Sequence, residues 1–309
     1  MLHMRAALIY SQQSRRTKRD PSLPARVYAL LPSGSLLCGT RTLSEISAAL
    51  RDCASAHVET LFVLGGDGTH RLVIDAAIAA FGEASLPRLR FLRGGTMNTV
   101  CNSLGLPRAQ PEMLARLALD GQAREVLRPL LRVNAGDRTH HGFLFGTGVM
   151  PRFLQRYEQS GSPTTMDGVR TLGEVLAECV AFAPKKILSL DALRIGIDDG
   201  AWFESRALTV GAATVDQIGL GFRPFHGAQE SQDAFRAFVL DGPAWRIPLC
   251  LPAVRIGRSF PAAVAQEHLC TSLRLEGTQG PIQFMIDGDL FDGSHKISVC
   301  LGPSLRLLV

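Results

Sequence analysis

The sequence predicts a two-part molecule: an N-terminal α/β half built on a parallel sheet, and a C-terminal half that is mostly an antiparallel β-sandwich. Two observations predict it. Apolar strand-like runs alternate with helix-period segments from residue 5 to residue 119, a rhythm that buries a parallel sheet under helices on both faces. Near residue 123 that rhythm stops, and short strand-like runs separated by turn dipeptides take over. At 309 residues the chain holds two domains of ordinary size, expected at 1–124 and 125–302.

In order along the chain, residues 5–10 form a short apolar strand, a polar basic loop follows, and residues 26–31 are expected as the second strand. Thr42 and Glu45 have capping-box spacing and open a helix whose Leu43, Ile46, Ala49, Leu50 and Cys53 recur at helical period. Residues 60–64 are an apolar strand that runs into Gly65-Gly66-Asp67-Gly68-Thr69. The helix after it, over 70–81, sets Leu72, Val73, Ala76, Ala77 and Ala80 on one face. A strand at 88–92 runs into a second glycine loop, Gly94-Gly95-Thr96-Met97-Asn98, and two helices, one ending at Leu104 and one over 111–119, close this half. Beyond it, strands are expected at 125–133, 142–148, 192–197, 205–212, 272–275 and 282–286, interrupted by one helix over 166–182.

Composition narrows the function classes. Residues are 46% hydrophobic and 20% charged, a globular mixture that excludes wholesale disorder, collagen and coiled coil. The longest strongly apolar charge-free stretch, 207–215, falls well short of the ~20 residues of a membrane span. The opening residues carry no long apolar segment, so no secretory signal is expected. Seven scattered cysteines without a C-x-x-C suggest neither zinc cluster nor disulfide framework and fit a reducing cytoplasm. The net charge of +5 is too diffuse to indicate nucleic acid. The dense basic run Arg15-Arg16-Thr17-Lys18-Arg19 is either a solvated loop or a face for anionic phosphate or lipid headgroups.

The chemistry concentrates in the two glycine loops. Ligands of open α/β sheets sit at the carboxyl ends of the strands. Glycines there turn the chain tightly and expose backbone N–H groups which, with the following helix N-terminus, suit phosphate oxygens. Two such loops, each after an apolar strand and before a helix, form a far stronger signal than one. Asp67 inside such a loop would repel an anion unless it handles Mg²⁺, a hydroxyl or a proton; otherwise it bonds backbone N–H groups as in an Asx-turn. Neither G-x-x-x-x-G-K-[ST] nor a complete G-x-G-x-x-G is present, which argues against P-loop NTPases and dinucleotide oxidoreductases. Asp287 and Asp289 flank one glycine; an extended segment would face both carboxylates the same way and raise one pKa, whereas the alternative is an acidic β-turn.

Gly65–Thr69 resembles the GGDGT signature of diacylglycerol-kinase-type lipid kinases, NAD kinases and, more loosely, phosphofructokinases. Gly95-Thr96-Met97-Asn98 with Leu104-Gly105-Leu106-Pro107 resembles the lipid kinases' G-T-x-N-D…L-G block, and Ile286-Asp287-Gly288-Asp289 resembles their V-D-G-E. The resemblance implies an NAD kinase-like first domain, completed by residues 303–309, and a β-rich lipid-substrate domain. It implies a lipid kinase using ATP and Mg²⁺, with the nucleotide in the cleft between domains. By motif position, Ser14, Thr40, Gly65, Gly66, Asp67, Gly68, Thr69, Gly95, Thr96 and Asn98 would line the nucleotide. Asp233 would serve a structural Mg²⁺, and Asp289 would accept the proton of the lipid hydroxyl, with Asp287 and Asp67 as further catalytic carboxylates.

Several positions depart from the family pattern. The first loop, N-P-x-S-G in the family, is Ser11-Gln12-Gln13-Ser14-Arg15; x-N-E-V after GGDGT is His70-Arg71-Leu72-Val73; the Asp after Asn98 is Thr99. The final Glu is Asp289, which retracts the carboxylate by about 1.5 Å, and ~1 Å at a catalytic group can cost about a hundredfold in rate. The expected partners are a lipid substrate, with peripheral contact to an anionic membrane and a homodimer both left open. Two other activities stay in view: an NAD kinase, and a non-catalytic protein that binds nucleotide or lipid and regulates a partner.

Overall fold

The computed structural model describes residues 5–95, 98–159, 164–180 and 186–309. Two compact units form, Met1–Arg128 with Pro303–Val309, and Pro129–Gly302.

In the first unit, β1 (Ala6–Ser11) leads through two short helices, α1 (Arg15–Arg19) and α2 (Leu23–Tyr28), to β2 (Leu36–Thr40). There follow α3 (Leu43–Ser55), β3 (Thr60–Gly65), α4 (Asp67–Phe81), β4 (Arg88–Arg93), α5 (Thr99–Ser103) and α6 (Pro111–Leu119). The four strands pair in parallel in the order β2-β1-β3-β4, and Leu307 of the C-terminal segment pairs in parallel with Leu89 at the β4 edge. β3 is buried along its whole length, as a central strand covered on both faces must be. Leu8, Phe62, Leu64 and Leu92 from the strands pack with Leu23, Val27 and Leu114 from α2 and α6. The Thr42–Glu45 capping box forms as the sequence predicts and starts α3. Arg90, fully buried in β4, donates to Leu114 O (3.0 Å) and Leu308 O (2.6 Å), tying α6 and the C-terminal segment to the sheet. Burial pushes its pKa down to about 10, so it stays charged at neutral pH.

The strand expected over 26–31 is instead the end of α2 and the turn beyond it. Pro24 sits in the first helical turn, where its missing N–H costs nothing, and Arg26 is held by Asp20 (2.7 Å) and Glu112 (2.9 Å). The second strand is β2, a half-exposed edge strand without the apolar density of β1 or β3.

The second unit comprises β5 (Glu125–Ala135, from Pro129 on), β6 (Arg138–Gly142), β7 (Leu144–Thr147), α7 (Val149–Glu158), α8 (Thr165–Val180), β8 (Asp191–Ile197), β9 (Phe203–Ala207), β10 (Thr209–Ala213) and β11 (Phe235–Leu240). After these come α9 (Ile247–Arg255), β12 (Ala265–Cys270), β13 (Ser272–Gly277), β14 (Ile282–Ile286), β15 (Asp289–Ser294) and β16 (Lys296–Leu308, to Gly302 in this unit). One sheet, wholly antiparallel, runs β12-β11-β10-β7-β14-β15. β16, β13, β8 and β9 pair antiparallel in a second layer, and β5 pairs with β6. Phe145, Val210, Phe235 and Phe284 of the first sheet share one core with Leu193, Ile195, Leu273 and Val299 of the second, as in a β-sandwich.

Two expectations for this unit need correction. The run 205–212 is two strands: β9 ends at Ala207, β10 begins at Thr209, and they belong to different layers. A continuous apolar run reads the same whether its strand stays in one sheet or changes layer. The helix expected over 166–182 is α8 (Thr165–Val180), residues 181–182 of that expectation lie outside the described residues, and α7 and α9 accompany it.

Candidate phosphate-binding site

In the first unit the chain leaves β1 toward β2 on one side and returns to β3 on the other, so the crevice at the carboxyl ends of β1 and β3 is a topological switch point. A cavity of about 380 Å³ lies there, within the ordinary range for ligand sites. It is lined from the β1 side by Ser14 and Arg15, from the β2 end by Thr40 and Arg41, from the β3–α4 turn and the first turn of α4 by Gly66, Gly68 and Thr69, and from the β4 loop by Gly95. A larger cavity of about 580 Å³ opens at the other edge of the sheet, among His57, Glu59, Phe81, Arg88 and Arg306. Its mixed charges and lack of glycine turns make it the poorer phosphate site.

The two glycine loops touch backbone to backbone. Gly94 N–H donates to Gly65 O (2.8 Å), and a Cβ placed on Gly95 would stand 2.6 Å from the Gly66 Cα. Only glycine permits that approach. Asp67, first residue of α4, reaches across to the second loop: its carboxylate accepts from Thr99 N (2.9 Å) and Val100 N (3.1 Å), the opening amides of α5. The Asp67 carboxylate therefore bonds backbone N–H groups, but those of the neighbouring loop. Asn98, in the left-handed conformation that asparagine tolerates, donates to Gly95 O (2.8 Å) and accepts from Gly95 N (3.2 Å). Arg93 braces α5 from the other side through Asn102 Oδ1 (2.8 Å) and Pro107 O (3.0 Å). Gly65, Asp67 and Asn98 thus shape the site from behind the cavity wall, and Thr96 lies outside the described residues.

Ser14 caps α1 by accepting from Thr17 N (3.3 Å), and Thr40 donates to Tyr10 O (3.2 Å). Arg41 donates through Nε to Gln12 Oε1 (2.6 Å), which holds the start of its guanidinium at the cavity rim. Arg15 and Arg41, two cations suited to forked contacts with phosphate oxygens, escape the sequence motifs. In the sequence Arg15 stands out as part of a basic run and as the end of the first loop, and Arg41 carries no signal of its own. His70 takes the place of the residue after GGDGT. It is fully buried and stacked on Phe91 at 4.4 Å, and burial pushes its pKa down to about 4, which keeps it neutral.

The acidic residues of the second unit are placed differently from the extended pair considered above. Asp287 and Gly288 form the two-residue turn between β14 and β15, with φ of +50° and +93°, and Asp289 pairs with Ile286 as the first residue of β15. The two carboxylates therefore do not share a strand face. The Asp287 carboxylate is buried and accepts from Phe143 N (3.0 Å) and Leu144 N (2.9 Å), pinning the hairpin to the start of β7. A further acid, Glu158 at the end of α7, carried no motif; desolvation and the nearby Asp289 carboxylate raise its pKa. Asp233 is exposed ahead of β11, and among the described residues no group of three His, Cys, Asp or Glu is arranged to hold a metal. Mg²⁺ fits such a surface only with phosphate oxygens and water as most of its ligands. No helix among the described residues is long and apolar enough to cross a membrane.

Residues 5–127 match the profile of the diacylglycerol kinase catalytic domain. No curated protein matches the chain. Among solved structures, a diacylglycerol kinase from Bacillus anthracis str. Sterne is similar with a TM-score of 0.64 at 16% identity, covering 100% of this chain and 97% of that one. A further protein of that organism gives a TM-score of 0.73 at 16% identity over 99% of this chain and 95% of its own. Yeast NADH kinase, solved with NADH, gives a TM-score of 0.53 at 12% identity over 99% and 83%. At these identities the structural likeness establishes the fold, an NAD kinase-like α/β unit together with an antiparallel β unit.

Proposed function

We propose that the protein is a lipid kinase that transfers the γ-phosphoryl group of ATP to a lipid hydroxyl. The observation that carries this is the cavity at the switch point, where Ser14, Thr40, Gly66, Gly68, Thr69 and Gly95 converge from the ends of four parallel strands. The diacylglycerol kinase catalytic-domain match over residues 5–127 supports the same activity. Backbone amides and hydroxyls of these residues would hold the phosphates, and the Arg15 and Arg41 guanidinium groups would balance their charge. Mg²⁺ carried on the phosphates would supply further neutralisation of the transferring group. Asp67 serves by fixing the second glycine loop against the first. Phosphoryl transfer needs positioning more than covalent help.

In the transfer, the lipid oxygen forms a bond to the γ-phosphorus, the bond from that phosphorus to the β,γ-bridging oxygen breaks, and ADP leaves. Asp289, at the position of the acid in the lipid kinases' V-D-G-E, would take the hydroxyl proton. Incubation with labelled ATP, Mg²⁺ and a panel of diacylglycerol, sphingoid bases and NAD tests this. Label on a lipid, abolished by Asp67→Ala and by Asp289→Asn while Asp289→Asn still binds ATP, is the expected result. Label transferred to NAD alone would make the protein an NAD kinase. ATP binding without transfer to any acceptor would make it a non-catalytic nucleotide-binding protein.

A further inference from the structure

Two helices of the second unit break the usual distribution of polar residues. A helix on a soluble surface buries one stripe and turns charged or polar residues outward. On α8 the buried positions are Gly168, Thr171, Val175 and Cys179, while the exposed positions are Met166, Val169, Arg170, Gly173, Ala177 and Val180. Every exposed position except Arg170 is apolar or small. Met166 is 72% and Val169 52% exposed.

The acids of α8 are each paired. The Asp167 carboxylate accepts from Thr164 N and Oγ1 (2.7 Å each), Glu174 pairs with Arg156 at 2.7 Å and with Arg170 of the exposed face at 3.4 Å, and the Glu178 carboxylate accepts from the amides of Lys186, Ile187 and Leu188.

Helix α9 goes further: from Ile247 to Val254 it contains no charged side chain. Ile247, Cys250 and Val254 are buried, yet Leu249 is 71% exposed, Ile256 just past the end 68%, and Trp245 just before the start 54%. A helix apolar on all sides belongs in an apolar surrounding, and here only one side is provided by the protein.

Next to these side chains in the chain are Arg246, whose guanidinium lies 5.0 Å from the centroid of the Trp245 ring, and the exposed Arg255 and Arg258, Arg255 also donating to Leu220 O (2.9 Å); no acid occurs from 245 to 260. Exposed leucine, isoleucine and tryptophan flanked by arginine is the composition of a face that enters the interfacial layer of an anionic bilayer. A second copy of the chain, docked by the same patch, would bring the arginines of both copies together without an acid to meet them.

We propose that the α8–α9 face, with Trp245, Leu249 and Ile256 at its centre, is the surface by which this protein docks on anionic membranes. It rests on the lipid-kinase reading, since a lipid acceptor resides in a bilayer, and it names the partner of that activity. Leu249 and Ile256 enter among the acyl chains, Trp245 lies at headgroup depth, and Arg246, Arg255 and Arg258 contact lipid phosphates.

The chain's tryptophans are Trp202 and Trp245, so Trp202→Phe leaves Trp245 as the sole reporter. Full-length protein carrying that substitution is mixed with vesicles of phosphatidylcholine alone or of an equal mixture with phosphatidylglycerol. On the mixed vesicles, Trp245 emission shifts to the blue and is quenched by brominated acyl chains. Binding falls about fivefold for each arginine removed and by at least about tenfold in Leu249→Ser/Ile256→Ser, whose exposed positions leave the unfolding midpoint unchanged. Unaltered Trp245 emission on vesicles overturns the proposal, as does full vesicle binding by the double variant. So does a dimer in sedimentation that the double variant dissociates while Trp245 ignores lipid. Vesicle docking without phosphorylation of any lipid would remove the kinase activity and leave the docking face. Phosphorylation of dispersed short-chain lipid without docking would do the reverse.

Discussion

Gly95→Ala is the sharpest perturbation of the candidate site. The added Cβ would stand 2.6 Å from the Gly66 Cα, about 0.8 Å inside the 3.4 Å at which ordinary contact begins. The second loop has little freedom to yield. Gly94 is bonded to Gly65, Asn98 grips both polar groups of Gly95, and Asp67 holds the start of α5. The two loops must therefore part by nearly 1 Å, which for groups that position a reacting phosphate costs about a hundredfold in rate, or about 2.7 kcal/mol. Gly66→Ala makes a milder contact, 3.2 Å from the Gly95 Cα, and is expected to cost only a few-fold. Isothermal titration with ATP and transfer of labelled phosphate measure both variants, with the unfolding midpoint confirming that the unit remains folded. Wild-type nucleotide affinity and rate in Gly95→Ala, or a larger loss in Gly66→Ala than in Gly95→Ala, would refute the loop-against-loop account.

Two more outcomes follow from buried groups. His70, with a pKa of about 4 when folded against 6.5 ordinarily, binds its proton more readily in the unfolded chain. Stability is full above pH 6.5 and declines as pH falls toward 4, by roughly 3 kcal/mol for this group, and His70→Phe should flatten that part of the profile in urea titrations; an unchanged slope would show that His70 is not the group responsible. Asp287→Ala strips the acceptors from two buried amides, at about 1–3 kcal/mol each, and puts alanine at φ +50°, so a thermal melt should drop by several degrees. Asp287→Asn, which keeps an acceptor and tolerates that backbone, should drop less; equal losses would mean that the carboxylate's bonds to Phe143 and Leu144 carry little.

The resemblance to lipid kinases rested on short motifs, and its parts fared differently in space. The glycine loops were legible because each is a local pattern, an apolar strand followed within two residues by the turn that suits a phosphate. Asp67 was legible as an unusual residue but not as a clasp, since its partners Thr99 and Val100 lie 32 and 33 residues away. Asp287 and Asp289 looked like a pair because sequence spacing cannot tell an extended triplet from a two-residue turn, and the turn needs positive φ at both central residues, which Asp and Gly permit.

Fold class followed from periodicity alone: strand–helix alternation demands a parallel sheet, and its loss near residue 123 marks the change to antiparallel strands. The capped helix α3, the buried strand β3 and both glycine turns were likewise determined within their own windows of sequence. Tertiary structure alone decided that 26–31 does not form a strand, that 205–212 divides between two layers, and that Arg15 and Arg41 share a cavity with Thr69. Those outcomes depend on which distant groups meet a given side chain. A pattern read along the chain records period and turn chemistry, but it holds no information about the partner that a buried carboxylate or an exposed leucine finds across space.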